Sequence, residues 1–313
     1  MSIGIVGSGA FGTALAIAMA SDGTKTRLWG RDAAQIDAMA RTRRNQKYLP
    51  DIAFPEALRP TCRLSDLADV SCVLLVLPAQ KTAEFWQQNS HIFSGKSLIL
   101  CAKGISTDSL KLQSEICPEC SGVLTGPGFA SEIAAGKPTA LTLALPDPKA
   151  HLQALLSRPR LRLYRTTDMI GAQIGGALKN VIAIAAGIAI GAGLGESARA
   201  AIMTRGFAEM RRLALRLGAA DATLSGLSGL GDLALTCASE KSRNFAHGVA
   251  LGQGRPPAAT TVEGVATAKA TIRLAKRHKV EMPVAQAVGS VLEGEKAVTD
   301  AIQDLLARPL REE

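Results

Sequence analysis

Apolar positions along the chain follow two regimes. Up to about residue 166, short apolar runs alternate with helix-period stretches; beyond it only the helical pattern continues. Residues 2–6, 26–29, 70–77, 97–102, 122–125, 139–144 and 161–164 read as strands. Residues 70–77 are nearly all apolar, the signature of a strand buried on both faces in a parallel sheet. The expected architecture is an α/β domain over residues 1–166 with a mostly parallel sheet, followed by an all-α domain over 167–313. In that second part, residues 197–217 read as a long helix stopped by Gly218, and further helices begin near Ser242, Glu263, Pro283 and Ala297.

The first strand runs into Gly7-Ser8-Gly9-Ala10-Phe11-Gly12 and then into an alanine-rich helix. This is G-x-G-x-x-G in the strand-to-helix setting that a Rossmann dinucleotide site requires. Gly7 makes the tight turn, Gly9 admits a pyrophosphate to the backbone, and Gly12 lets the helix approach the sheet. The helix N-terminus supplies N–H donors and a positive dipole end. The second strand ends at Gly30-Arg31-Asp32. An acid there suits the ribose hydroxyls of NAD and an arginine the 2′-phosphate of NADP. Both types are present; Arg31 comes first, which tips the reading toward NADP without closing off NAD. Ligands of open α/β sheets bind beyond the carboxyl ends of the strands. Lys103 and the loop Gly126-Pro127-Gly128-Phe129-Ala130 follow two such ends.

Lys179 is the one charged residue between Asp168 and Glu196, in a run of small and apolar side chains. A lone ammonium buried there is costly unless something binds it. A helical side chain leans over the preceding turn, so Lys179 is expected above Gly175 and Gly176, where missing side chains leave room for a ligand. The alternative is a lysine that snorkels to the surface. Ser242 is placed to cap a helix whose first turn carries Arg243 and Asn244, a receptor suited to phosphate.

Composition narrows the partners. The formal charge of +9 suits nucleic acid, membranes or small anions. The basic clusters Arg41-Arg43-Arg44 and Arg211-Arg212 are short, and no zinc-ligand or RNA-binding signature accompanies them. A phosphorylated small molecule accounts for the excess more economically, with no nucleic acid expected. The six cysteines do not form a disulfide framework, and the single Cys117-Pro-Glu-Cys120 lacks the further ligands of structural zinc. No metal is expected, and a reducing cytoplasm is the simplest location. The run from Lys179 to Glu196 is shorter than the roughly 20 residues of a membrane-spanning helix, so no membrane insertion is expected.

The motifs GSGAFGTALA, WGRD, NQKYLP, CAKGI, TGPGFASEIAAGKPTA, GALKNVIAIAAG, GLSGLGDLALTC, SRN and VEGV stand in order from Met1 to about Leu306. In these the chain resembles the bacterial NAD(P)-dependent glycerol-3-phosphate dehydrogenases. The resemblance implies a Rossmann domain followed by a helical substrate domain, reversible reduction of dihydroxyacetone phosphate to sn-glycerol 3-phosphate, a role in glycerophospholipid synthesis and a homodimer. It implies Lys179 as the proton-transferring lysine and Lys103 as a contact of both cofactor and substrate. Gly126, Gly128, Asp232, Ser242, Arg243 and Asn244 match its substrate positions. Ala10, Phe11, Arg31, Ala130, Arg243, Thr261 and Glu263 match cofactor contacts. Gly128 departs from the usual serine, and Ala10 and Phe11 from the usual Ser and Trp or Tyr. None of the four histidines falls in these motifs, which argues against a His–Asp proton relay. Three other readings stay open: a related reductase of 2-ketoacids, which has no need of Arg243 and Asn244; a non-catalytic NAD(P) sensor, which has no need of Lys179; and, weakest, a basic nucleic-acid-binding protein.

Overall fold

A computed structural model describes residues 2–147, 150–258 and 262–307. The chain packs as two compact units, one built from residues up to Ala102 and from Gln113–Met169, the other from Lys103–Leu112 and the chain beyond Ile170. A single cut at 166/167 does not anticipate the excursion Lys103–Leu112. The cause is apolar: Ile105, Leu110 and Leu112 are buried in the core of the helical unit.

The first unit contains strands β1 (Ile3–Val6), β2 (Thr26–Trp29), β3 (Arg44–Asn45), β4 (Leu49–Ala53), β5 (Leu58–Thr61), β6 (Cys72–Leu75), β7 (Ser97–Leu100), β8 (Gly122–Thr125), β9 (Thr139–Ala144) and β10 (Leu161–Thr166). Eight of them form one sheet in the order β10-β9-β8-β7-β6-β1-β2-β5. Neighbours are parallel except β8 and β9. The antiparallel pair β3 and β4, and strand β5, were absent from the sequence reading. Strand β5 is Leu-Arg-Pro-Thr, and its Pro60 is tolerated because β5 lies at the sheet edge. Ile3, Ile5, Leu28, Leu74 and Ile99 are wholly buried between the sheet and its helices.

In the glycine-rich turn after β1, Gly7 has φ of +121°, and a Cβ there would lie 2.2 Å from the Val76 carbonyl oxygen. A Cβ on Gly12 would lie 1.9 Å from the Gly7 oxygen. Both positions exclude any larger residue, and the Ala10–Ala20 helix therefore starts directly against the turn.

The second unit is organised around the Met169–Gly191 helix, buried on nearly every side. At 23 residues it is longer than the sequence reading allowed, and long and apolar enough to cross a membrane. Its most apolar window is 89% buried inside the protein, so its apolarity is spent on the core. Around it pack the helices Gly195–Arg216, Asp232–Cys237, Arg243–Gly252, Glu263–Arg277, Pro283–Leu292 and Val298–Leu306. The carboxylate of Glu209, itself 3% exposed, accepts the N–H groups of Val284 (2.7 Å) and Ala285 (3.2 Å) and so caps the buried start of the Pro283–Leu292 helix.

Helix Arg243–Gly252 crosses the central helix backbone to backbone. A Cβ on Gly187 would sit 2.2 Å from the Phe245 oxygen, and one on Gly248 would sit 2.1 Å from the Ile184 oxygen. No side-chain rearrangement relieves a clash with a carbonyl. Gly187→Ala is therefore expected to cost about 1–3 kcal/mol as the helices are forced apart. A fall in the denaturant midpoint of that size checks it; an unchanged midpoint refutes the close crossing.

Candidate active site

Lys179 lies in the second half of the long helix's first three turns and points into the unit's interior. It is 7% exposed, so it does not snorkel. Its Nζ donates to Asp232 Oδ1 at 2.7 Å and to Thr236 Oγ1 at 2.8 Å. Asp232, 1% exposed, accepts on Oδ2 from Lys103 Nζ at 2.7 Å. The Thr236 hydroxyl donates to the Asp232 carbonyl at 2.6 Å, one helical turn back, which leaves its lone pair for the ammonium. One carboxylate thus bridges two ammonium groups, and the cluster carries one net positive charge.

Burial dominates the protonation of this cluster. It pulls the Lys179 pKa down to about 8, Asp232 opposing the shift and Lys103 adding to it. Burial alone would raise the Asp232 carboxyl, but Lys103 and Lys179 together outweigh it and hold the group below the usual carboxylate range. The result is a buried lysine that is charged at neutral pH and able to lose its proton slightly above it, beside a carboxylate that stays ionised.

The room expected over Gly175 is filled by protein. A Cβ there would lie 2.5 Å from the Ser228 oxygen, because the π turn Leu227–Gly231 packs directly on the helix. That turn runs straight into Asp232 at the start of the Asp232–Cys237 helix. Gly175 therefore brings the carboxylate to the lysine; it does not make space for a ligand. The partner the ammonium required is Asp232.

A second line of contacts fixes the surroundings. Gly264 N–H donates to Asn244 Oδ1 (2.9 Å), Asn244 Nδ2 donates to Asn180 Oδ1 (2.9 Å), and Asn180 Nδ2 donates to the Lys103 carbonyl (3.3 Å). Two carboxamides tie the Glu263–Arg277, Arg243–Gly252 and Met169–Gly191 helices to the Lys103 segment. Ser242 is 6% exposed and caps its helix, accepting from Phe245 N–H at 3.2 Å. Arg243, on the first turn, is exposed and has no hydrogen-bond partner among the described residues. Glu263 opens the next helix and is half-buried; Thr261 lies outside the described residues.

In the first unit, Gly9 is exposed and is the N-cap of the Ala10–Ala20 helix, which has no side-chain cap; Ala10 and Phe11 form its first turn. Asp32 caps the following helix, accepting from Gln35 N–H at 3.1 Å, whereas Arg31 is exposed and unbonded among the described residues. Gly126 has φ of +129°, and Ala130 begins the Ala130–Ala134 helix. A Cβ on Gly128 would come within 2.9 Å of the Ile133 Cδ1 methyl, so a serine here requires that side chain to turn aside.

Lys103, Lys179 and Asp232 meet in one cluster, with Asn244 linked to it through Asn180. Asn180 and Thr236 also belong to it, without having stood out along the sequence. Asn180 adjoins the lysine, and Thr236 is four residues after Asp232, hence on the same helix face; those spacings were the available signals.

The model of the NAD-dependent glycerol-3-phosphate dehydrogenase N-terminus matches residues 2–151, and that of the C-terminus matches residues 168–303. The chain is 51% identical over 321 aligned positions to a glycerol-3-phosphate dehydrogenase [NAD(P)+] of Roseobacter denitrificans, covering all of both chains. It is 53% identical to that of Paracoccus denitrificans, with the same full coverage. The crystal structure of a glycerol-3-phosphate dehydrogenase from Coxiella burnetii superposes with a TM-score of 0.93 at 36% identity, over 98% of this chain and 99% of that one. With both halves matched in order and likeness running from end to end, this chain belongs to the NAD-dependent glycerol-3-phosphate dehydrogenase family.

Proposed function

We propose that the protein is an NAD(P)-dependent glycerol-3-phosphate dehydrogenase, interconverting dihydroxyacetone phosphate and sn-glycerol 3-phosphate, which feeds glycerophospholipid synthesis. The observation that carries this reading is the buried Lys179 ammonium, held by Asp232 and Thr236 with a second ammonium beside it. The residues for a dinucleotide fit as well: a helix N-terminus without a side-chain cap behind an exposed Gly9, and an exposed Arg31 with no partner among the described residues.

When bound, NAD(P)H supplies the hydride that reduces the ketone carbon. Negative charge collects on the former carbonyl oxygen, where Lys179 stabilises it and then gives up its proton. The C=O becomes CH–OH, and Lys179 is left as a neutral amine. In the oxidation direction that amine takes the hydroxyl proton. Asp232 restrains Nζ and keeps the ammonium charged despite burial, while Lys103 adds positive charge for an anionic substrate. Arg243 and the second Nδ2 hydrogen of Asn244 receive the phosphate at the start of their helix.

Three outcomes test this. Lys179→Ala is expected to lose at least about a hundredfold in kcat for dihydroxyacetone phosphate, while its fluorescence titration with NADPH stays normal. Retained turnover would remove the proton role.

With a Lys179 pKa of about 8, the reduction rate should decline as pH rises through that value and the oxidation rate should climb. The same shift acts on stability. Between about 8 and the ordinary lysine value of 10.5 the unfolded chain keeps a proton that the folded chain has lost, so this group's contribution favours folding increasingly with pH. Rate profiles in both directions check the catalytic part.

Arg31 is proposed to favour NADPH through the 2′-phosphate. Arg31→Ala should lower the NADPH-to-NADH ratio of kcat/KM by about tenfold, the scale of one charge-assisted hydrogen bond. An unchanged ratio would remove Arg31 from cofactor choice.

A further inference from the structure

Asn45 is 1% exposed and lies in β3, far in sequence from the glycine-rich turn, yet it is bonded to that turn. Its Nδ2 donates to the Ser8 carbonyl at 3.0 Å and to Thr13 Oγ1 at 2.8 Å. The orientation of the carboxamide is unambiguous, because a carbonyl can only accept and the nitrogen must face Ser8. Its Oδ1 is buried with no hydrogen-bond partner among the described residues. Such an orphan costs stability, and an apolar side chain would avoid it. The compensation lies in what the nitrogen does to the turn.

In a trans peptide, C=O and N–H point in opposite directions within one plane. Holding the Ser8 carbonyl inward therefore turns the Gly9 N–H outward. That N–H has no partner among the described residues, Gly9 is exposed, and nothing lies within 4 Å of where its Cβ would be. The carboxamide is itself held on a rigid bracket. Arg43, in the left-handed region with φ of +55°, donates from its guanidinium to the carbonyls of Pro55 (2.6 Å) and Leu58 (2.7 Å). The Phe54 N–H closes the base of the bracket on the Arg43 carbonyl at 2.7 Å.

We propose that Asn45 is a positioning residue for cofactor binding: by anchoring the Ser8 carbonyl it presents the Gly9 N–H to the pyrophosphate. The proposal rests on the dinucleotide reading of the glycine-rich turn. The two are separated by including Gly9→Asp, which puts a side chain and a charge where the pyrophosphate would lie.

The experiment measures binding of NADPH and of adenosine 2′-monophosphate, which lacks the pyrophosphate, to the full-length protein and its variants. Asn45→Ala is expected to weaken NADPH about tenfold, the scale of a hydrogen bond lost to a charged group. Adenosine 2′-monophosphate should bind as before, and kcat at saturating NADPH and KM for dihydroxyacetone phosphate should not move. Asn45→Asp keeps the shape of the side chain but has no N–H for Ser8, so it should lose NADPH affinity to at least the same degree; it serves if the alanine variant does not fold. Equal weakening of both nucleotides would mean general disruption and would overturn the positioning role. So would NADPH affinity unchanged in both Asn45 variants while Gly9→Asp abolishes it. If Gly9→Asp also binds NADPH normally, the dinucleotide reading of the turn is what fails.

Discussion

The chemistry of the helical unit depends on a single buried carboxylate shared by two lysines. Removed from water, the Lys179 ammonium alone would be strongly disfavoured; Asp232 makes it tolerable with one oxygen while the other accepts from the half-buried Lys103. The balance is not neutral. Two positive charges face one negative, and burial still draws Lys179 down to about 8. A group held there changes its protonation just above neutrality, and the cluster keeps one uncompensated positive charge. The placement of the lysine and its lowered pKa have the same electrostatic origin.

Bringing these groups together required backbones to approach more closely than side chains permit. Gly175 lets the π turn before Asp232 lie on the central helix, and Gly187 with Gly248 lets the helix bearing Arg243 and Asn244 cross it. In the first unit Gly7 and Gly12 do the same for the glycine-rich turn. The chain's abundance of glycine and its scarcity of aromatics reflect this mode of assembly. Polar side chains then fix what the glycines bring near: Asn180 and Asn244 around the lysines, Asn45 beneath the turn.

Much of the architecture could be read locally. Strands β2, β8 and β9 and the Pro283–Leu292 helix occur at the residues their patterns indicated. Central strands and buried helices announce themselves through uninterrupted apolarity. Strand β5 did not, because an edge strand with Arg59 and Pro60 lacks that signal. The β3–β4 pair escaped for a related reason: two residues of β3, Arg44 and Asn45, carry no apolar pattern.

From sequence alone came the glycine-rich turn, the change from α/β to all-helical patterning, and the isolation of Lys179 among apolar neighbours. Each is a property of adjacent residues, governed by backbone sterics or by helical and strand periodicity. Tertiary structure decided what meets what. Asp232, 53 positions away, rather than an open space over Gly175, receives the lysine. The Lys103 segment joins the helices because Ile105, Leu110 and Leu112 find a core there, and Asn45 reaches Ser8 across 37 positions. Hydrogen bonds and ion pairs between distant residues leave no periodic trace along a chain, since their geometry exists only after the apolar core has folded.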